Sequence, residues 1–442
     1  MMDSQALTAA AVSSSEEYRA ASIDPDQRRR NRLLVGAALL TLCFVSQEIQ
    51  LFTFLDGLQI VKLTAIAVLI LFVSSRQQLL DRVRLGDAPQ AMMVVSILLL
   101  AVATIPFAVW PSISLQYAMN AYAKNVIFVY LLLQAVRTDR DARVIATVLS
   151  IGSAILVIPM LTRLGPWVTY KTDPTRLAVG ATYDANDLAL LFVVTIPFAF
   201  FALKGSRPAV KVLLLGSLLL LLAGMVKTGS RGGFLGLIAV TVFLILGSSG
   251  QIRKYTLITV ISGAVLFTAF APGTYWQRIE TIYHYQGDYN LNEAGGRIMI
   301  WKTGLRMISQ NPLIGVGIGC FPNEHAKLSE IHLQSAAHDA FLQITAELGI
   351  GGLVLFLGII VYSLAMAYRV RRAARAGQTD PDLLWFASAV QVSFIGFIIC
   401  AIFLSHAYSG IFSFCVAAAA IMTARYKASR RQISPREEIA YV

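Results

Sequence analysis

The stretch WFASAVQVSFIGFIICAIFL, residues 385–404, runs without a single charge and interrupts its apolar character only at Ser388, Gln391 and Ser393. Wound as a helix at about 1.5 Å per residue it is roughly 30 Å long, the thickness of a bilayer's hydrocarbon layer. It is followed almost at once by a second apolar run near 407 to 424, and preceded by a third near 339 to 367. A soluble domain would have no core large enough to hide three such segments in sequence.

Working outward, the same pattern recurs along the chain. Apolar runs lie near 33 to 49, 58 to 73, 91 to 109, 117 to 136, 144 to 163, 185 to 203, 209 to 226, 232 to 248 and 255 to 271. With 56% hydrophobic and 14% charged residues, the chain reads as an all-α polytopic membrane protein of about 12 transmembrane helices. Pro106, Pro159 and Pro197 fall inside these runs and predict kinks. The net charge of +12 would suggest nucleic acid in a soluble chain, but the cations cluster at the ends of apolar runs, where topology accounts for them. Three of the four cysteines, Cys43, Cys400 and Cys415, lie in apolar runs and Cys320 stands alone, so no disulfide framework or cysteine metal site is expected.

Placing the N-terminus inside puts Arg76, Arg82 and Arg84, then Arg137, Arg140 and Arg143, then Lys204, Arg207 and Lys211, and then Arg253 and Lys254 on the cytoplasmic side. Arg369, Arg371, Arg372 and Arg375 join them, as do Arg425, Lys427, Arg430 and Arg431. The expected organisation is a cytoplasmic disordered tail over 1–32 and helices 1 to 9 over 33–271, with a small periplasmic loop near 164–184. A large periplasmic loop over 272–338, helices 10 to 12 over 339–424 and a cytoplasmic tail over 425–442 complete it. All five histidines then fall outside. Within the large loop, Ile298, Ile300, Trp301, Leu305 and Ile308 recur at helical spacing from Arg297 until Asn311 and Pro312 stop them, which predicts an amphipathic surface helix. Gly315, Gly317 and Gly319 and a polar stretch with His325 and His332 follow.

The turn Lys227-Thr228-Gly229-Ser230-Arg231-Gly232-Gly233 puts two cations on the side where cations are scarce. Glycine lets backbone approach a ligand, and a guanidinium fork matches phosphate oxygens; a tight loop with Arg231 snorkelling to headgroups explains the same residues. His338 stands at the entrance of an apolar run, where the positive end of a helix dipole favours a neutral ring able to accept a proton. Asp339 beside it is the opposing influence. Arg297, with Arg163 and Arg176 flanking the smaller loop and Arg278 in the larger, gives a set of external arginines, each of which alone would serve as a headgroup anchor. The Asp-x-Asp pairs Asp24/Asp26, Asp139/Asp141 and Asp380/Asp382 sit in cytoplasmic basic clusters and read as solvated loop acids, so neither metal nor nucleotide is expected.

Taken together, Thr228-Gly229-Ser230-Arg231-Gly232-Gly233, Gly296-Arg297 with Trp301, Asn311-Pro312-Leu313-Ile314-Gly315-Val316-Gly317, His338-Asp339-Ala340-Phe341-Leu342 and Glu347-Leu348-Gly349-Ile350-Gly351-Gly352 resemble the O-antigen ligase and polymerase family. The stretch Arg176 to Asn186 with Leu188 resembles the segment before that family's middle spans. The resemblance covers most of the chain from about residue 160, and Asp339 stands where many members carry Asn. It implies a membrane-embedded glycosyltransferase of GT-C-like architecture in the bacterial inner membrane, with a periplasmic active site and no cofactor. The donor would be an undecaprenyl-pyrophosphate-linked O-antigen and the acceptor a sugar hydroxyl of the lipid A core oligosaccharide. His338 would be the catalytic base, Arg231, Arg297, Arg176 and Arg163 would hold the pyrophosphate, and Asp339, Ser230 and Trp301 would support them. A polymerase of the same family, a ligase that glycosylates pilin, and a polysaccharide or lipid transporter are the alternatives.

Overall fold

The computed structural model describes residues 25–43, 60–74, 82–162, 184–247, 296–330 and 332–439, with scattered helical positions between 253 and 280. Arg163, Arg176, Arg278 and His284 lie outside the described residues.

The described chain is helical. Its first half holds α1 (Pro25–Thr41), α2 (Ile60–Val73), α3 (Pro89–Thr104), α4 (Pro111–Tyr117), α5 (Ala123–Ala135), α6 (Asp139–Ile155) and α7 (Val157–Thr162). The second half holds α8 (Ala185–Ala202), α9 (Pro208–Thr228), α10 (Arg231–Gly247), α11 (Arg297–Gln310), α12 (Phe321–Leu328), α13 (Ala340–Arg375), α14 (Leu383–Ala401) and α15 (Gly410–Ile439). Among the described residues seven helical stretches are long and apolar enough to cross a membrane, and Leu63–Val73 and Arg231–Leu246 are shorter apolar helices. The run expected near 117 to 136 is divided, because a π-helical turn at Ala118–Tyr122 joins α4 to α5. Of the three prolines, only Pro197 sits within a long regular helix.

The bundle is built around α8 and α14, which pack on each other and are buried along most of their length, with α10, α13 and α15 against them. Phe192, Phe198, Phe394, Phe397 and Phe414 fill this centre. The outer helices keep one apolar face uncovered: Val212, Leu213, Leu215 and Leu219 of α9 are all at least half exposed, which suits a helix whose solvent is lipid.

The longest helix, α13, is broken. Gly349 adopts φ +64°, a conformation that costs a side-chain-bearing residue about 1–2 kcal/mol. The break is filled by the segment after α11. Val316 and Gly317 donate their N–H groups to the carbonyls of Ala346 and Glu347, both at 2.9 Å, and Ile350 donates to the carbonyl of Pro312 at 2.9 Å. A β-carbon on Gly349 would stand 2.3 Å from the carbonyl oxygen of Leu313, and one on Gly315 would stand 2.3 Å from the carbonyl carbon of Glu347. Two glycine-containing motifs that are separate in the sequence are therefore the two halves of one clamp. Glu347, wholly buried, closes it by accepting the N–H of Phe321 at 3.2 Å.

Candidate functional site

The site gathers at one end of the bundle, around the α14–α15 connection. Asp184 caps α8 by accepting the N–H groups of Asn186 and Asp187 at 2.6 and 2.9 Å, and Asp187 Oδ2 returns a bond to the Asp184 N–H at 3.0 Å. The other oxygen of Asp187 lies 2.8 Å from Nε2 of the buried His406. The preceding residue, Ser405, accepts the backbone N–H of His338 at 2.7 Å.

His338 itself has φ +50°, which is uncommon for a residue with a side chain. An off-minimum backbone held by a specific hydrogen bond is the pattern found where a side chain must be aimed. The expected amphipathic helix is present as α11, and Arg297 is its first residue. Its guanidinium carbon stands 5.9 Å from the ring centre of Phe403, at the edge of the range for a cation–π contact. A β-carbon on Gly232 would stand 3.3 Å from that same ring, so Phe403 touches both the first turn of α10 and Arg297. Arg231, the first residue of α10, is the chain neighbour of that Gly232.

The electrostatics divide the site into two halves. The N-termini of α8, α10, α11 and α13 all point their positive dipole ends here. Those of α8 and α13 are neutralised by carboxylate caps, Asp184 and Asp339, the latter accepting the N–H groups of Phe341 and Leu342 at 2.8 and 2.9 Å. Those of α10 and α11 have the neutral residues Ser230 and Gly296 before them and begin with arginine. One half is thus shaped for an anion. In the other, burial and the Arg297 charge push the His338 ring below the ordinary histidine range, and Asp184 and Asp187 oppose that shift. The ring is neutral near pH 7 and available to take a proton.

Several expectations change in detail. Asp339, expected to raise or orient the imidazole, has its carboxylate committed to the helix cap, and the acids that act on His338 are Asp184 and Asp187. Ser230 is buried and accepts the N–H of Gly233 at 3.2 Å, a capping role. Gly233 is glycine for packing, since a β-carbon there would come 2.4 Å from Ala189. Trp301 packs under α11 in the small core that holds Ile300, Met307 and Phe321. His325 is buried and stacked on Phe321, where burial holds its ring neutral, and His332 lies with Nδ1 3.1 Å from the Ala326 carbonyl oxygen. Burial pushes the Cys320 thiol up to about 12, out of the reactive range. Asp139 is bonded to Arg143 and Trp385, Asp141 to Arg30 and its own helix cap, and Asp380 to Arg425. Ser405, His406, Asp184 and Asp187 were not singled out from the sequence; a lone histidine between two apolar runs was the available signal for His406.

Residues 188–357 match the family model described as O-antigen ligase. This part of the chain is similar to O-antigen ligases. An O-antigen ligase of Pseudomonas aeruginosa is 29% identical over 171 residues, 38% of this chain and 38% of that protein. The exopolysaccharide production protein ExoQ of Rhizobium meliloti is 25% identical over 300 residues, 63% of this chain and 65% of that protein. The chain therefore spans less than two thirds of either relative. The matched stretch carries Arg231, Arg297, His338 and both halves of the clamp, while Ser405 and His406 fall beyond its end.

Proposed function

We propose that the chain is a membrane glycosyltransferase of the O-antigen ligase type, transferring a glycan from a polyprenyl pyrophosphate to a sugar hydroxyl of the lipid A core. The observation that supports this reading is that one short connection holds Phe403, against Gly232 and Arg297, and Ser405, on the backbone of His338.

In this reading the pyrophosphate sits against the N-termini of α10 and α11, which no carboxylate caps, with the guanidinium groups of Arg231 and Arg297 on its oxygens and Arg163 and Arg176 completing the set. The acceptor hydroxyl gives its proton to the His338 imidazole as its oxygen bonds to the anomeric carbon. The bond from that carbon to the pyrophosphate oxygen breaks, with inversion at the carbon. Charge grows on the leaving phosphate during the step, so fixed cations bind the transition state more tightly than the ground state. The lipid tail runs down the apolar side of the bundle. The architecture is GT-C-like, with about twelve spans, both termini cytoplasmic, and residues 272–338 forming a periplasmic loop.

The test is transfer between purified donor and acceptor in detergent. Replacement of His338 with Ala should lower turnover about 10²- to 10⁴-fold in a folded variant; undiminished turnover removes the base assignment, and absence of any product from the parent chain favours a transporter. Polymerisation stays as a second reading because the longer of the two matches is to a protein named for exopolysaccharide production. Mass analysis of lipopolysaccharide from a deletion strain separates them: a core bare of polymer indicates a ligase, and a single attached repeat unit a polymerase.

A further inference from the structure

Away from the site, at the far end of α13, a cavity of about 570 Å³ opens between α10, α13 and α14. Arg371 lies roughly 45 Å along the helix from the His338 end. The cavity is lined by Phe243 and Leu246 of α10, by Tyr368, Arg371, Arg372, Arg375 and Ala376 of α13, and by Gln391 of α14. Among the described residues no carboxylate lines it.

Arg371 and Arg372 stand four and three residues before Arg375 on one helix, so each of them neighbours Arg375 and is repelled by it. The carbonyls at the end of a helix attract cations, which explains why basic residues gather there, but not why three of them wall a cavity. Arg371 adds a second, independent sign. One of its terminal nitrogens donates to Gln391 Oε1, and its Nε–H is buried with no acceptor. Buried donors of this strength almost always have a partner. An oxygen anion in the cavity would supply it and would relieve the repulsion, and the guanidinium fork matches two oxygens of a phosphate.

The remaining walls specify what carries that phosphate. Phe243 is 39% and Leu246 64% exposed on α10 among the described residues, and Tyr368 is 59% exposed beside the arginines. Tyrosine at this level and apolar side chains below it are the surroundings of a lipid headgroup and the chain beneath it. We propose that this cavity binds an anionic phospholipid of the bilayer, its phosphate held by Arg371, Arg372 and Arg375 and its acyl chain laid along Phe243 and Leu246.

The test is native mass spectrometry and thermal melting of the full chain in nanodiscs of phosphatidylglycerol or of phosphatidylcholine. Wild type should carry phosphatidylglycerol through delipidation and melt higher in it than in phosphatidylcholine. The variant R371Q/R372Q/R375Q should retain it roughly tenfold less and lose that melting difference. Arg371→Lys, which keeps the charge and removes the fork, should fall between the two, so the outcome survives misfolding of the triple variant. As a control, K204Q/R207Q/K211Q removes the same number of exposed cations at the α8–α9 joint and should behave as wild type. Equal loss in the control means general attraction to an anionic surface and overturns the site. Full retention by both arginine variants does the same, and so does an equal melting shift produced by inorganic phosphate alone, which would place a soluble anion there instead of a lipid.

Discussion

The backbone N–H of His338 is held by the hydroxyl of Ser405 at 2.7 Å, across 67 residues of chain. This bond fixes a left-handed histidine at the mouth of α13, and the same short connection carries Phe403 beneath Arg297 and His406 against Asp187. Ser405→Ala should therefore lower kcat roughly 3- to 10-fold, the worth of one neutral hydrogen bond, with KM for the donor unchanged. Ser405→Thr, which restores the hydroxyl, should recover most of it. Steady-state transfer kinetics decide; a rise in KM with kcat intact would assign the connection to donor binding instead.

The pH profile should follow the neighbours of His338. A base works in its neutral form, so turnover falls as pH drops through the ring's pKa, and burial with Arg297 places that acidic limb below the ordinary histidine value of 6.5. Arg297→Gln removes a charge that lowers the pKa, and the limb should move to higher pH. Asp187→Asn removes one that raises it, and the limb should move to lower pH. Shifts in the same direction for both variants would show that His338 is not the titrating group.

For the arginines, charge and shape can be separated. Arg297→Lys keeps a cation at the start of α11 and loses the forked donors, so kcat/KM should fall about 10- to 100-fold, the worth of one charge-assisted hydrogen bond. Arg231→Lys should do likewise. Kinetics equal to the parent's would leave these residues as headgroup anchors.

Gly349 and Gly315 make a stability prediction that does not involve chemistry. Gly349→Ala should destabilise the chain by at least about 2 kcal/mol, from its φ of +64° together with the overlap with Leu313. Gly358→Ala, in the same helix, where the added carbon meets Met93 at 3.5 Å, is the matched control and should be near neutral. Adding Gly315→Ala to Gly349→Ala should cost less than the sum of the two, because both break one contact. Thermal melting in detergent measures all of these, and identical melting of the Gly349 and Gly358 variants would refute the clamp.

Much of this was legible in the sequence because membrane helices announce themselves by length and apolarity, as residues 385–404 do, and because the periodicity from Arg297 to Ile308 matches α11 closely. Arg231, Arg297 and His338 stood out as cations or a histidine at the ends of apolar runs. What stayed hidden was pairing across the chain. Nothing near Asp187 points to His406, 219 residues later, because that contact is set by how α8 packs on α14. The role of Asp339 was misjudged for a local reason: a carboxylate just before a helix has two N–H groups within reach and takes them before it can serve a neighbouring ring. Gly349 lies inside an apolar run and reads as a spanning residue, while its break depends on a segment more than thirty residues upstream.

That break also dictates an order of assembly. Residues 312–317 leave the ribosome before Glu347 and Gly349 do, so the segment that fills the break is made before the helix that receives it. Until the two meet, the carbonyls of Ala346 and Glu347 have either no partner or an ordinary helical one, and His338, only eight residues before Ala346, has no fixed place to stand. The two segments therefore complete each other, and the break in α13 has its hydrogen bonds filled only where residues 312–317 are seated in it.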